Sequence, residues 1–362
     1  MFKQLPVHDV LLNYNPESPD RRFVEAGHEH ATLSDSERRP AQVPWPSALT
    51  PKAAPLSPAP DEKESLARFK GYDAVVITWT AAEAATLAAL LTPGVPTTEW
   101  YEYRHNVDAY VPLVTGAKAP FNDKEMSRYY RSLGLYFPCV VGGKRVLAMK
   151  SGLHLDYDGP ATPIYKLTQE IIEAIQPKML ITTGTGGGIG ADVALGDVVI
   201  GAQTRFDCTT QFKTESWASA SYETTPISEQ VLKAITPALT KPNAAKIGGY
   251  AGARSEPKIW SGGNTAIVTT DFFGFDDSTD HYKLQGKGQA CDMGDAMVIK
   301  AAREGKVRTR YYAVRNASDP QIKNPSGDMK EADKEAGAIY RKYGVYTTAA
   351  SVIASWAIVT SG

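Results

Sequence analysis

Cysteine is scarce in this chain, and so is an excess of charge of either sign. There are three cysteines, at Cys139, Cys208 and Cys291, an odd number spread widely along the sequence. They indicate neither a disulfide framework nor a zinc site. The formal net charge is −1 at pH 7, so the electrostatics favour neither nucleic acid nor an anionic membrane as a partner.

Long apolar runs are lacking as well. The longest, 349–359, is interrupted by Ser351 and Ser355 and is shorter than the ~20 residues of a membrane span. It predicts a buried helix. The N-terminus has no charged segment followed by an apolar one, the pattern of a secretory leader. We therefore expect a cytoplasmic protein.

Proline is unevenly distributed and divides the chain at about residue 65. Six prolines lie close together at Pro44, Pro46, Pro51, Pro55, Pro58 and Pro60. They predict an extended, poorly packing N-terminal arm over residues 1–65, followed by a folded domain over residues 66–362. Within the arm, His28-Glu29-His30 imitates a metal-binding pair, but the sequence offers no third ligand nearby. We predict neither a metal nor a cofactor.

Beyond the arm, short β-rich runs alternate with helical patterns, which predicts an α/β fold. Strands are predicted at 75–78, 145–150, 178–183, 198–202, 266–270 and 308–314. The helix between the second and third strands is marked by apolar residues every three or four positions, at Ile164, Leu167, Ile171, Ile172 and Ile175. Further helices are predicted from Met293 to Glu304 and from Lys330 onward, the latter with Gly337 and Gly344 as candidate breaks.

A glycine-rich segment follows the predicted strand 178–183, with glycines at Gly184, Gly186, Gly187 and Gly188. It predicts a turn whose uncovered backbone cradles an anion or a sugar. The only dinucleotide-type frame ends at Ala191, and the chain then enters the strand-like 198–200 instead of a helix. No Gly-Lys pair precedes Ser or Thr here, which excludes a P-loop.

The segment 183–187, together with Leu195-Gly196-Asp197-Val198-Val199, resembles the central signature of the nucleoside phosphorylase/nucleosidase family. Five further segments match the family and occur along the chain in the family's order. They lie at 75–84, 150–152, 205–207, 270–274 and 315–319. The resemblance is nearest in pattern to the methylthioadenosine/S-adenosylhomocysteine nucleosidases. It implies a single α/β domain with a central twisted mixed sheet flanked by helices. It also implies a nucleoside substrate and a homo-oligomer whose neighbouring subunit helps to close the 5′ pocket.

Cleavage of an N-glycosidic bond makes the sugar cation-like and requires an acid at the departing base. The resemblance implies that Asp319 is this acid, since a carboxyl shielded from water can stay protonated and hydrogen-bond N7 of a purine. On the residues alone, Asp319 could instead cap a helix or turn before Pro320. A pairing of Asp319 with Arg315 is a further alternative.

Glu83 resembles the carboxylate that nucleosidases use as the base at the attacking water, although a solvent-facing helix residue would look the same. Phosphorylases of the family usually carry a phosphate-binding arginine just before the glycine segment, where this chain has Thr182. The sequence therefore favours hydrolysis by water. Phosphorolysis, with phosphate held by Arg104 or Arg205, remains the alternative.

Contacts with sugar and base are implied by the resemblance for Thr185, Gly186, Gly187, Arg205, Phe206, Phe273, Met293 and Ser318. Phe273 matches a base-stacking aromatic, although Phe272-Phe273 could also belong to the core. The clearest departure is Gly294, because the family has a glutamate there that grips the 2′- and 3′-hydroxyls. We predict that Asp295 takes the place of this glutamate and accepts from the 2′- or 3′-hydroxyl, with Asp292 as the second candidate. Both residues could instead cap the adjacent helix. The departure also leaves open a nucleoside-binding protein without turnover.

Overall fold

The computed structural model describes residues 39–116, 132–155 and 158–362. The His28-Glu29-His30 triplet and the first part of the predicted arm lie outside the described residues. Six α-helices occur within the described ranges: α1 Ala81–Leu91, α2 Pro163–Ile175, α3 Glu229–Ala234, α4 Pro237–Ile247, α5 Asp295–Glu304 and α6 Met329–Ser361. Short 3-10 helices lie at Ser47–Leu49, Leu66–Phe69, Thr97–Glu99, Val107–Ala109 and Val111–Leu113.

The strands of the described residues form one mixed sheet of 13 strands. They are β1 Lys52–Ala53, β2 Ala74–Thr78, β3 Tyr101–Tyr103, β4 Gly134–Val141, β5 Lys144–Ser151, β6 Met179–Gly188, β7 Val198–Gly201, β8 Gln203–Asp207, β9 Ser221–Glu223, β10 Ile259–Trp260, β11 Ala266–Thr270, β12 Ala290–Asp292 and β13 Arg310–Asp319. The main order is β1-β4-β5-β2-β6-β12-β11-β8-β9. β5, β2, β6 and β13 are parallel neighbours at its centre, whereas β12 meets β6 antiparallel. All six predicted strands are present.

The predicted glycine turn is wrong, because β6 continues through the glycines to Gly188. β13 runs beside it to Asp319, so that Arg315 is the register partner of Gly184, and Asp319 that of Gly187. Gly184 has a φ of 146°, a backbone conformation that favours glycine. A Cβ there would lie 2.3 Å from Oε1 of Glu83. The glycines therefore allow side chains to approach an extended strand closely.

The predicted helices are present, and their apolar faces are buried. α2 buries the five predicted positions and ends at Ile175, with Gln176 as its C-cap just before Pro177. α6 runs through Gly337 and Gly344 without a break, so those candidate breaks are wrong. α6 is long and apolar enough to cross a membrane, but 78% of its most apolar window is buried inside the protein. This confirms the prediction that 349–359 lies in a buried helix.

The expectation of a poorly packing arm is wrong for the part from residue 39 onward. β1 pairs antiparallel with β4, and the side chain of Val43 is buried. The ring centroids of Trp45 and Trp356 lie 4.9 Å apart, and Nε1 of Trp356 donates to the carbonyl oxygen of Leu49 at 2.9 Å. Proline disfavours regular structure but does not prevent apolar side chains from packing between the prolines. A domain boundary at residue 65 stays a prediction.

Candidate functional site

Polar and charged side chains converge at the carboxyl ends of β2, β6 and β13, beside the first turns of α1 and α5. This edge is where open α/β sheets usually bind ligands. It brings together Glu83, Thr185, Arg315 and Asp295 through direct contacts. Asp319 lies at the end of β13 next to Gly187.

Glu83 is fixed by the way α1 begins. Thr80 is the N-cap, and its hydroxyl accepts from the backbone N of Glu83 at 3.3 Å. In return, Oε2 of Glu83 accepts from the backbone N of Thr80 at 2.7 Å, which completes a capping box. Because Glu83 is 2% exposed, the alternative of a solvent-facing residue is wrong.

Five donors converge on the Glu83 carboxylate. Besides Thr80, Oε2 accepts from Oγ1 of Thr78 at 2.7 Å and from the backbone N of Trp79 at 2.9 Å. Oε1 accepts from the backbone N and from Oγ1 of Thr185, both at 2.6 Å. A carboxylate has about four lone-pair positions. In this arrangement Glu83 therefore has no free acceptor position.

Glu83 is held in its ionised form. Burial alone would raise the pKa of its carboxyl, but the charge of Arg315 and the hydrogen bonds from Thr185, Thr80 and Thr78 outweigh it and hold the pKa below its ordinary value. Nη1 of Arg315 lies 3.9 Å from Oε1 of Glu83.

Arg315 joins the site's carboxylates from β13, where it is 3% exposed. Nε donates to Oδ2 of Asp295 at 2.9 Å, and Nη2 donates to Oδ1 of the same residue. Nη2 also lies 3.0 Å from Oδ2 of Asp292, and Nη1 donates to the carbonyl oxygen of Thr185 at 3.2 Å. The alternative that Arg315 pairs with Asp319 is therefore wrong.

Asp292 and Asp295 serve the start of α5 and the Arg315 guanidinium. Oδ2 of Asp292 accepts from the backbone N of Gly294 at 3.0 Å and of Asp295 at 2.8 Å. These N–H groups lie at the start of α5, where backbone donors have no partner within the helix. Burial and the nearby charge of Asp295 raise the pKa of Asp292. Asp295 is 0% exposed. A contact between Asp295 and a sugar hydroxyl stays a prediction, and it would require Asp295 to turn away from Arg315.

Asp319 occupies a different environment. It is 6% exposed, and Oδ1 accepts from Oγ of Ser318 at 2.8 Å. Burial raises the pKa of this carboxyl from 3.8 to about 6, although the Ser318 hydrogen bond opposes the change. Asp319 caps no helix, because the next one begins at Met329 with Asp328 as its cap. The structure therefore contains a buried carboxyl that can be protonated near neutral pH.

Gly186 and Gly187 make room for Asp319 and β12. A Cβ on Gly187 would lie 2.9 Å from Sγ of Cys291 and 3.2 Å from Oδ2 of Asp319. A Cβ on Gly186 would lie 2.7 Å from the carbonyl oxygen of Cys291. Substrate contacts of these glycines stay predictions.

The other predicted contacts are more dispersed. Arg205 and Phe206 lie on β8, which β12 and β11 separate from β6. Nε of Arg205 is buried and has no hydrogen-bond partner among the described residues. Phe206 is 0% exposed, with its ring centroid 4.6 Å from that of Trp217, so a substrate contact would require its neighbours to move. Phe273 packs, partly buried, on a second apolar cluster, and Met293 is partly exposed.

Two residues at this edge were given no role by the sequence reasoning, although both lie in segments that matched the family, 75–84 and 150–152. Trp79 places its indole against Gly294 and Arg315, and the unusual glycine at 294 was a signal that a large side chain approaches there. Lys150 is 5% exposed and is the register partner of Thr78. Burial lowers the pKa of Lys150 to about 8, although the charge of Glu83 opposes this. No group of three His, Cys, Asp or Glu side chains in the described ranges could hold a metal ion.

A family model, the phosphorylase superfamily, matches residues 102–343. Among curated protein sequences there is no match.

Several solved structures are similar to this chain at low sequence identity. A 5′-methylthioadenosine/S-adenosylhomocysteine nucleosidase from Neisseria meningitidis in complex with methylthio-immucillin-A has 18% identity and a TM-score of 0.46, covering 80% of this chain and 99% of that one. Futalosine hydrolase of Helicobacter pylori strain 26695 has 15% identity and a TM-score of 0.48, covering 82% and 99%. A nucleosidase of the first kind from Colwellia psychrerythraea 34H, in complex with adenine, has 16% identity and a TM-score of 0.49, covering 80% and 96%. Likeness at this level says nothing about the substrate of this chain. The family match and the mixed sheet flanked by helices confirm the predicted fold class.

Proposed function

Because the chain belongs to the phosphorylase superfamily, we propose that it cleaves the N-glycosidic bond of a purine nucleoside or a 5′-substituted purine nucleoside, with water as the nucleophile. One observation carries the proposal: two buried carboxyls with opposite pKa shifts. The pKa of Glu83 is held low by Arg315 and hydrogen bonds, against the effect of burial, while burial raises that of Asp319 to about 6. Environments that push two pKa values apart assign one group as base and the other as acid.

Asp319 supplies the proton at the base. A protonated carboxyl donates to N7 of the purine as the glycosidic bond lengthens, so that the base leaves as a neutral molecule. Burial favours the neutral form of Asp319. Ser318 donates to Oδ1 at 2.8 Å, which leaves Oδ2 as the oxygen to carry the proton toward the substrate.

Glu83 acts at the sugar. Its negative charge stabilises the developing oxocarbenium ion, and it accepts the proton of the attacking water. Because five donors already occupy its oxygens, one must be released first. The hydroxyl groups of Thr78 and Thr185 can rotate away, whereas the three backbone N–H groups are fixed. We propose that the substrate's arrival displaces one of these hydroxyls.

The arginines support water over phosphate. Thr182 stands at the position that matches the phosphate-binding arginine of the family. It is buried, and its Oγ1 lies 2.7 Å from the hydroxyl oxygen of Tyr311. Arg104 pairs with Glu62 at 3.2 Å, and Arg315 is bound to Asp292 and Asp295. Arg205, the other arginine considered for phosphate, lies on β8, away from β6. Because its buried Nε has no hydrogen-bond partner among the described residues, phosphorolysis with phosphate held by Arg205 stays the alternative.

A nucleoside-binding protein without turnover is the second candidate. The saturated carboxylate of Glu83 favours it, since a site that never performs proton transfer has no need of a free lone pair. In either case the proposal includes a homo-oligomer, which rests on the resemblance, and a cytoplasmic location.

The test is a panel of purine nucleosides and their 5′-substituted analogues, incubated with and without phosphate. We expect release of free base at the same rate in both buffers. Formation of a pentose 1-phosphate, with turnover lost in phosphate-free buffer, would replace hydrolysis by phosphorolysis. Saturable binding of a nucleoside without release of its base would favour the second candidate.

A further inference from the structure

Gly294 faces an indole ring. A Cβ built on Gly294 would lie 3.2 Å from Cζ2 of Trp79 and 3.5 Å from both Cε2 and Cη2. The φ of Gly294 is −159°, extended backbone that any residue can adopt. The need for glycine therefore comes from Trp79, because a longer side chain would have to displace the indole.

Trp79 is held in place on several sides. Its Nε1 donates to the carbonyl oxygen of Leu153 at 3.1 Å, and its backbone N donates to Glu83. The guanidinium carbon of Arg315 lies 5.0 Å from the centre of the ring, within the range of a cation–π contact. At 9% exposure the indole is a fixed wall of the site next to Glu83, the proposed general base.

No carboxylate beside this wall is open to a sugar hydroxyl. The side chains of Glu83, Asp292 and Asp295 are 2%, 2% and 0% exposed. Each accepts hydrogen bonds from other protein groups, as described above. At the Gly294 position itself, the nearest group is the indole of Trp79 and not a carboxylate.

We propose that Trp79 determines the sugar specificity of the site, and that the substrates are purine 2′-deoxyribonucleosides in preference to ribonucleosides. This inference rests on the proposed function, which places the sugar beside Glu83. A 2′-hydroxyl entering the site loses its hydrogen bonds to water and finds an apolar wall instead of an acceptor. The penalty corresponds to about 5- to 100-fold in affinity, since that is the cost of leaving a buried hydroxyl unpaired, and about 100-fold is what an apolar pocket achieves against an added hydroxyl.

Binding can be separated from turnover with C-nucleosides, whose carbon–carbon glycosidic bond is not hydrolysed. We expect the wild-type protein to bind 2′-deoxy-9-deazaadenosine or 2′-deoxy-9-deazaguanosine about 5- to 100-fold more tightly than the matched ribonucleoside, as measured by calorimetry. Equal binding, or tighter binding of the ribonucleoside, would overturn the inference. Deoxy-selective binding without base release from any ordinary nucleoside would overturn the proposed function but leave the sugar preference of the binding site standing. Base release combined with ribose-selective binding would overturn the inference and leave the proposed function standing. If no C-nucleoside of either kind bound, both the inference and the proposed function would be overturned.

A double variant tests the role of Trp79 directly. Trp79→Ala combined with Gly294→Glu removes the wall and supplies an acceptor, and we expect the binding ratio to move at least tenfold toward the ribonucleoside. The matched control, Trp79→Ala with Gly294→Met, fills the same space without an acceptor and should keep the deoxy preference. An equal change in both variants would show that Trp79 acts only through packing and would overturn its assignment. Wild-type binding does not depend on how well these variants fold.

Discussion

Replacing Asp319 by Asn should stabilise the protein at pH 8 while removing its activity. Asp319 is buried, and its one hydrogen bond, from Ser318 to Oδ1 at 2.8 Å, can be accepted equally well by an amide oxygen. Asn has nearly the same volume and carries no charge at any pH. The variant therefore removes the cost of a buried carboxylate and keeps the packing.

The magnitude follows from the change in pKa. Burial raises the pKa of Asp319 from 3.8 to about 6, and each pKa unit corresponds to 1.36 kcal/mol. Because the folded protein holds this proton more tightly than the unfolded chain, the stability from protonated Asp319 is fully present below pH 3.8. It is lost as the pH rises through about 6. Above that pH the carboxylate costs about 3 kcal/mol, or about 5 °C in melting temperature for a domain of this size.

The assay is thermal unfolding of wild type and Asp319→Asn at pH 5 and pH 8, with release of base measured on the same samples. We expect a difference in melting temperature at pH 8 that shrinks at pH 5, and a loss of about 10²–10⁴ in rate. Asp197→Asn is the control, because Asp197 is likewise buried, at 0% exposure, but is bound by Arg254 at 3.2 Å. It should destabilise at both pH values. A destabilised Asp319→Asn protein at pH 8 would refute the reasoning.

The remaining predictions concern Glu83, Gly184 and the N-terminal segment. Glu83→Gln should lower the rate of base release by about 10²–10⁴ while circular dichroism shows a folded protein, and near-wild-type turnover would remove Glu83 from the mechanism. Gly184→Ala should cost at least about 2 kcal/mol in the free energy of unfolding, because its φ is 146° and the new Cβ would lie 2.3 Å from Oε1 of Glu83. Unchanged denaturant midpoints would contradict that contact. A chain starting at residue 66 should melt below one starting at residue 39, since it loses β1 and the contact between Trp45 and Trp356. Identical melting temperatures would show that residues 39–65 add nothing to stability.

The elements that follow local periodicity could be predicted from the sequence. The helix face from Ile164 to Ile175 is buried as expected, since an apolar stripe can be buried only against one partner surface. The resemblance also named Glu83 as a site residue, and the structure brings Glu83 to the glycine segment, which is a strand and not a turn. A run of glycines indicates that another group lies close to the backbone. The local sequence does not say whether the chain turns there or a side chain from another element packs against it.

Contacts between distant positions could not be predicted in the same way. The position of Trp79 over Gly294 and the binding of Asp295 by Arg315 depend on how β2, α5 and β13 meet. No periodicity links these residues. The prolines before residue 65 likewise reflect only local backbone preferences and carry no information on what Trp45 packs against.

Following the first-formed sugar product by NMR, in phosphate-free buffer, tests the central claim most directly. Water activated by Glu83 attacks the sugar on the face opposite to the base held by Asp319. A β-nucleoside should therefore release free base together with the α-anomer of the free pentose, before the anomers equilibrate. Initial formation of the β-anomer, a requirement for phosphate with pentose 1-phosphate as the product, or no release of base from any purine nucleoside would contradict the account.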